Sequence, residues 1–512
     1  MILRRFFIFC LINKFISGAN ILAITTLLSP SHHLFNDVYL FELAKRGHNV
    51  TLLGHDEDKH NHPNYTHIIM EGVYEKLKDH FDPMKMKDLS HWETINLLWS
   101  FSEITCILDY ETEGLRKITR YPDDFKFDLI IWDSTGGQCL FPLVEKFGRP
   151  PMIAINPFIN QPNTFKNIWQ SYIPFMTLAY TDHMSLWQRL ESAFLNTLTE
   201  VSRIMFFLPR QLELATMYFG RFNLNIEEIE RDVSLMLSNH NPVFNYVEAL
   251  PPNVIPVGGL HIQPKTLPKD LQNILDMSKS GVILFSFGSN IRSKDIGENK
   301  IRAIVKTLSK LAQTVIWKFE EDNLPGLSKN VHIRKWLPQN DVLGHANTVL
   351  FITHGGLLSA HEAVYNAVPV IGVPFNLDQL QNVANYVKKG IGAKIDFNDI
   401  TEENLYNVIQ SVLNNKSYKE NVKKLSVLYK DQQDKPLETA VYWTEYILRH
   451  KTAQHLNLAT RDMNFLQIAN LDIILICLLS VFLLLGVTVT CMCCLILKRV
   501  SKQTVTEKIK TS

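Results

Sequence analysis

Residues 351–379 read FITHGGLLSAHEAVYNAVPVIGVPFNLDQ, and their polar side chains stand where chemistry could be done. An apolar run stops at His354, Gly355 and Gly356, and a stretch with helical spacing follows from near Leu358. Glycines let the backbone turn and let a ligand come close. A helix start aims free N–H groups and its positive end at such a turn, so the place suits an anion. His354 and the Ser359 hydroxyl can add hydrogen bonds, and Glu362 can accept them from a ribose, which makes the held group a diphosphate. The glycine pair alone is weak evidence, because strand–glycine–helix turns are often only structural. Upstream, Trp336-Leu337-Pro338-Gln339 offers a flat indole face for a base and a glutamine that both donates and accepts. A tryptophan taken alone is more often core. Asp378 and Gln379 can bind sugar hydroxyls, although an aspartate ahead of a helix is commonly its N-cap.

Such residues need strands and helices to hold them. Ile21 to Leu27 is a short β-rich run, Leu28 to Phe35 reads as a loop, Asn36 to Arg46 has helical spacing, and Val50 to Leu53 is apolar again. Strand, helix and strand in that space make a βαβ unit and a parallel sheet. Phe127 to Trp132 and Met152 to Ile155 continue it, while the stretch from Asn160 to Arg231 is helical, aromatic and irregular. Pro251 to Lys269 is rich in proline and glycine and reads as a linker. Beyond it the alternation restarts with strands at Val282–Phe287, Val315–Phe319, Val331–Ile333, Val349–Ile352 and Val368–Val373, and a helix start at Thr401-Glu402-Glu403. The pattern predicts an α/β protein of two doubly wound domains. Ligands bind beyond the carboxyl ends of such strands. His32, Asp133, Ser286, Gly288, Ser289, His354, Asp378 and Gln379 all fall there, which predicts a cleft between the domains.

The chain of 512 residues carries a net charge of +1 and no basic stripe, so nucleic acid is not an expected partner. Arg4 and Arg5, an apolar run from Phe6 to Ile12 and the small residues Ser17-Gly18-Ala19 read as a secretory signal. Ile473 to Leu497 holds no charge and is long enough to span a bilayer. Lys498, Arg499 and Lys502 follow it, so the tail is expected in the cytosol and the body on the lumenal or extracellular side. Lys508 and Lys510 in the tail resemble a dilysine signal for retrieval to the endoplasmic reticulum. Only Cys106 and Cys139 lie in the body, too few for a disulfide scaffold or a cysteine zinc site. Sequons occur at Asn49, Asn64 and Asn415; Asn49 opens an apolar run and is expected to be too buried for a glycan. The resulting division is 1–19 signal, 20–250 first doubly wound domain, 251–435 second doubly wound domain, 436–470 helices and stalk, 471–497 span and 498–512 tail.

The segment from Arg334 to Asn382 resembles the signature of the UDP-glycosyltransferases: aromatic-Pro-Gln, Thr-His-Gly-Gly, Ser, Glu-Ala, Val-Pro and Asp-Gln in order. The wording after His-Gly-Gly is most similar to insect members. The resemblance runs from Ile21 to Ser512 and is weak between Tyr74 and Phe244. It implies a GT-B fold, two Rossmann-like domains facing a cleft plus a membrane helix, and an inverting, metal-independent transfer without a cofactor. It puts uracil on Trp336 and Gln339, diphosphate on Ser289, His354 and Ser359, ribose on Glu362 and the sugar on Asp378 and Gln379. Ser286, Gly288, Gly355 and Gly356 complete that set. His32 matches the catalytic base, by its distance from Arg46-Gly47-His48, and Asp133 in FDLIIWD matches its partner acid. Three departures stand out: Leu358 where many members have asparagine, Ala367 where glycine is usual before Val-Pro, and His33 beside His32.

The expected reaction has His32 take the proton of an acceptor hydroxyl as its oxygen attacks the anomeric carbon, while Asp133 orients the imidazole and stabilises its charge. The helix start and His354 would meet the charge growing on UDP. The expected partners are a UDP-sugar, glucose before glucuronic acid, a small lipophilic acceptor suggested by the aromatic stretch Phe165 to Phe207, and a membrane. The oligomeric state is open, a homo-oligomer included. A nucleotide-sugar epimerase or hydrolase, and a non-catalytic nucleotide-sugar-binding membrane protein, are the rival readings.

Overall fold

The computed structural model describes residues 18–57, 60–78, 80–158, 171–220 and 224–510. Residues 1–17 of the expected signal, and residues 159–170 of the aromatic stretch, lie outside them. Residues up to Asn457 form one compact body around two parallel sheets. The first sheet contains β1 (Asn20–Ile24), β2 (Asn49–Gly54), β3 (Tyr65–Ile69), β4 (Leu129–Asp133), β5 (Met152–Asn156), β6 (Val233–Ser238) and β7 (Val254–Pro256), in the order β3-β2-β1-β4-β5-β6-β7. The second contains β8 (Val282–Ser286), β9 (Thr314–Lys318), β10 (Val331–Arg334), β11 (Thr348–Thr353), β12 (Val370–Gly372) and β13 (Gly392–Lys394), in the order β10-β9-β8-β11-β12-β13. Every residue of β4, β5 and β8 is buried, as parallel strands covered on both faces require. In each sheet the order reverses direction beside the first strand, so the carboxyl ends of β1 and β4, and of β8 and β11, flank a crevice.

One expectation is overturned where it matters. The loop expected over residues 28–35 ends at Ser29: α1 runs from Pro30 to Lys45 and takes in His32 and His33 in its first turn. The reason is Pro30. Its ring sets φ near the helical value and its missing N–H costs nothing at the first helical position, so proline here starts a helix. The Asn49 expectation also fails. Asn49 is exposed, burial in β2 begins at Val50, and its amide donates to Asn20 Oδ1 at 3.1 Å. Thr401 does cap its helix, accepting from the Asn404 N–H.

The first sheet is closed by the far end of the chain. The helix α7 (Pro436–His450) places Leu437, Ala440, Val441, Ile447 and Leu448 in one apolar cluster with Ile21, Ala23, Phe35 and Tyr39. Each leucine, isoleucine, valine or phenylalanine among them contributes roughly 1.5–3 kcal/mol when fully buried. Tyr39 shares a hydrogen bond with Thr444, and Arg46 pairs with Glu438 at 2.6 Å. The two body cysteines, too few for a scaffold, bond to each other: Cys106 on α2 (His91–Asp109) joins Cys139 after β4.

From Leu458 onward the chain forms a second unit. Its long helix α8 (Leu471–Lys510) contains an apolar stretch, Leu471–Arg499, with a mean hydropathy of 2.9 over its most apolar window and none of that window buried. At 1.5 Å per residue it exceeds the ~30 Å of a bilayer core.

Candidate functional site

At the edge of the second sheet, β11 ends at Thr353 and α5 (Leu357–Tyr365) begins three residues after His354. Gly355 has φ +88°, and Gly288 at the end of β8 has φ +80°, conformations that side-chain-bearing residues resist. The His354 imidazole lies between two glycines. A Cβ on Gly288 would stand 2.4 Å from its Cε1, and one on Gly356 2.5 Å from its Nε2. Burial, with Lys318 adding to it, lowers the His354 pKa to about 4. The ring is therefore neutral near pH 7 and acts as a hydrogen-bonding group, not as a fixed cation. Its Nδ1 is buried and without a hydrogen-bond partner.

One turn into α5, Ser359 and Glu362 are buried on the same face, and Gln339 at the start of α4 (Gln339–Gly344) reaches both. Gln339 Nε2 donates to Ser359 Oγ at 2.9 Å and to Glu362 Oε2 at 2.6 Å. Burial pushes the Glu362 carboxyl up to about 7, against the Gln339 bond. Trp336, three residues earlier, is 60% exposed, which sets aside the core alternative. Leu358, in place of asparagine, packs against the apolar cluster of the first sheet.

Asp378 opens α6 (Asp378–Lys388) but does not cap it; Leu377 holds the cap position at φ +58°. Asp378 is buried, accepts from Asn382 Nδ2 at 2.7 Å, and is pushed up to about 6 by burial. Gln379 Oε1 accepts from the Phe375 N–H at 2.9 Å and so braces the loop before it. Ser286 Oγ likewise braces its own turn, accepting from the Gly288 N–H, while Ser289 is half-buried beside Asn290.

At the edge of the first sheet, α1 brings His32 against the end of β4. Asp133 is buried and accepts from Asn36 Nδ2 at 2.7 Å and from the Thr135 N–H at 3.0 Å. His32 Nδ1 is 3.9 Å from Asp133 Oδ2. The Phe158 ring meets the imidazole edge-on at 4.6 Å between centroids. Burial, partly offset by the Asp133 charge, lowers the His32 pKa to about 4, so the ring is neutral and able to take a proton near pH 7. His33 turns elsewhere, 3.9 Å from Asp56 and stacked on His67.

The two edges are tied together. Asn290 Nδ2 donates to Ser29 Oγ at 3.2 Å, beside Ser289 on one side and near His32 on the other. Asn376, in the loop before Asp378, donates to the Met86 carbonyl and to Thr94 Oγ1. Gln381 donates to the Pro174 carbonyl at 3.1 Å. Thr94 adjoins Ile95, which clusters with Phe175, Leu178, Trp99 and Leu195 of α3 (Leu186–Ser202), a buried apolar group close to the Asp378 loop. Thr135, Asn36, Phe158 and Asn376 were not singled out from the sequence. Asn36 carried a usable signal, standing one helical turn after His32 on the same face; the other three did not.

The chain and its fold have matches among known proteins. The family described as UDP-glucoronosyl and UDP-glucosyl transferase matches residues 20–507. UDP-glycosyltransferase UGT5 of Dactylopius coccus is 35% identical, with 99% of each chain covered. UDP-glucuronosyltransferase 2B7 of Homo sapiens is 31% identical over 91% of each chain. Among solved structures, the calicheamicin glycosyltransferase CalG4 superimposes with a TM-score of 0.55 over 84% of this chain and 99% of its own, at 15% identity. The spinosyn forosaminyltransferase SpnP gives 0.54 over 85% and 100%, at 16% identity.

Proposed function

This chain belongs to the UDP-glycosyltransferase family, a membrane-anchored GT-B enzyme that takes a UDP-sugar, and from that premise we propose that it moves glucose to the hydroxyl of a small lipophilic acceptor in one inverting, metal-independent step. The observation that carries the reading is a neutral, buried His32 beside Asp133, next to a bond that ties the first sheet's edge to the second's. His32 Nε2 takes the acceptor's proton. The freed oxygen bonds to the anomeric carbon, and the bond from that carbon to the diphosphate oxygen breaks, its electron pair leaving on UDP. Attack from the face opposite the leaving group inverts the centre.

Charge grows on UDP as the bond breaks. The N-terminus of α5 and hydrogen bonds from His354 and Ser359 are suited to meet it. Trp336 and Gln339 would hold uracil, Glu362 the ribose, and Asp378 with Gln379 the hexose. Asp133 would favour the imidazolium that forms on His32. The apolar group of Ile95, Phe175, Leu178, Leu195 and Trp99 supports an apolar acceptor. The charge asymmetry of Lys498 and Arg499 after the span supports a lumenal body, and the Cys106–Cys139 bond suits an oxidising compartment. Lys508 and Lys510 support residence in the endoplasmic reticulum.

The test is UDP release from microsomes carrying the full chain, with UDP-glucose and UDP-glucuronic acid offered against a panel of phenols. Release that needs both UDP-glucose and a phenol is the expected result. A preference for UDP-glucuronic acid would replace the donor, and binding of UDP with no turnover from any donor would favour the non-catalytic reading. Protease protection of the body in sealed vesicles checks the orientation.

A further inference from the structure

His32 and its carboxylate do not touch. The 3.9 Å between His32 Nδ1 and Asp133 Oδ2 is beyond hydrogen-bond reach. Thr135 Oγ1 occupies the gap, 3.1 Å from His32 Nδ1 and hydrogen-bonded to Asp133 Oδ1. We propose that Thr135 is a positioning residue for the base, coupling His32 to Asp133 as a His–Thr–Asp relay in which one hydroxyl sets the imidazole tautomer. The proposal rests on the reading of His32 as the base.

Proton counting gives the relay its direction. A carboxylate has no proton to offer, so the single Thr135 hydroxyl proton points at Asp133. The threonine oxygen then faces His32 with a lone pair, and Nδ1 must carry the ring proton. Nε2 is left with its lone pair free, the state a base needs. Both Asp133 oxygens are bonded without the imidazole: Oδ2 takes Asn36 and Oδ1 takes the Thr135 N–H and hydroxyl. When Nε2 accepts the acceptor's proton, Nδ1–H stays in place and the new positive charge is felt at Asp133 through a polarised hydroxyl. No second proton has to move.

The turn that carries Thr135 cannot slide. A Cβ on Gly136 would lie 2.0 Å from Thr26 Oγ1 on the first strand's trailing loop, and one on Gly137 2.6 Å from Gln211 Oε1. Gln211 also accepts from the backbone N–H groups of Gln138 and Cys139 at 3.0 and 3.1 Å. The hydroxyl is thereby held at a fixed place relative to α1.

The experiment compares Thr135→Val, Thr135→Ser and His32→Ala in the full-length microsomal enzyme, using phenols graded in acidity from 4-nitrophenol to 4-methoxyphenol, with UDP binding measured separately. Valine keeps the shape and removes the hydroxyl. We expect kcat to fall about 10- to 100-fold for the least acidic phenol, less for the more acidic ones that need less help losing a proton, with KM for the UDP-sugar within about twofold. Serine should restore most of the rate. A valine variant as fast as the wild type while His32→Ala is inactive would overturn the relay and leave the base. So would equal losses in valine and serine, an equal loss across all phenols, or lost UDP binding in the valine variant, each of which marks a purely structural role. Full activity in His32→Ala would instead overturn the base reading itself.

Discussion

At the edge of the second sheet, one stretch of chain from Trp336 to Gln379 supplies an indole, two glutamines, the histidine His354, the glycines Gly355 and Gly356, the serine Ser359 and the carboxylic side chains of Glu362 and Asp378. At the edge of the first sheet, His32 meets Thr135 across 103 positions of sequence. The edge proposed to hold the nucleotide is built by close backbone approach: Gly288 and Gly356 clear the space that His354 fills, and Gly355 turns the chain into α5. The edge proposed to carry the catalysis is built by side chains hydrogen-bonded in series, Asn36 and Thr135 to Asp133 and His32 to Thr135. An anion needs many weak donors in a fixed cup, which a short local motif can build. A base needs one nitrogen with the right proton count, which depends on groups brought from afar.

Breaking the catalytic side should have the largest effect. His32→Ala should lower kcat by roughly 10²- to 10⁴-fold while UDP binding changes little, measured by UDP release and by binding in the same preparation. If the activity survives in His32→Ala and dies in His33→Ala, the contrast is drawn at the wrong histidine. On the nucleotide side, Trp336→Ala should weaken UDP binding by about tenfold, the order of one lost base stack, with kcat at saturating donor nearly unchanged. Gly356→Ala tests the cup itself. Its φ of −59° suits alanine, so the only fault is the 2.5 Å approach to His354, and a loss of donor affinity of about threefold to tenfold is expected. Equal affinity in that variant would mean that His354 moves freely and the cup is not preformed.

The pH response sharpens the same contrast. His354 has its pKa lowered from 6.5 to about 4 in the folded state. Between those values the unfolded chain binds a proton that the folded chain does not, so stability from this group falls as pH drops from about 6.5 to about 4. His354→Asn should flatten the stability slope in that window by at most about 1.4 kcal/mol per pH unit, read from urea midpoints in detergent. The smallest effect is expected at Ala367, which stands at φ +55°, a conformation that favours glycine. Ala367→Gly relieves that strain but adds chain entropy to the unfolded state, so a gain of up to about 1 kcal/mol is expected, and a measurable loss would mean the entropy term dominates.

Much of this was legible beforehand for a simple reason. Buried parallel strands are continuous apolar runs, and β4, β5, β8 and β11 announce themselves as such. The nucleotide motif is local, so its residues are neighbours in sequence before they are neighbours in space. The misreadings share a cause too. Pro30 can end an element or begin one, and its neighbours Ser29 and Ser31 did not decide between them. Asn49 was judged by the apolar run it opens, although burial starts one residue later.

The amino-acid sequence by itself determined two parallel α/β sheets, the glycine turn at His354-Gly355-Gly356, and a charge-free stretch long enough to cross a bilayer. Those features follow from periodicity, backbone freedom and length, which act over a few residues. Tertiary structure alone decided that α7 returns to seal the first sheet, that Cys106 and Cys139 meet, that Asn376 and Asn290 tie the two sheet edges together, and that Thr135 stands between His32 and Asp133. Each of these depends on which distant surfaces pack, and packing is a property of the whole chain: a threonine after a strand is only a turn residue until a helix from a hundred positions away lays an imidazole against it.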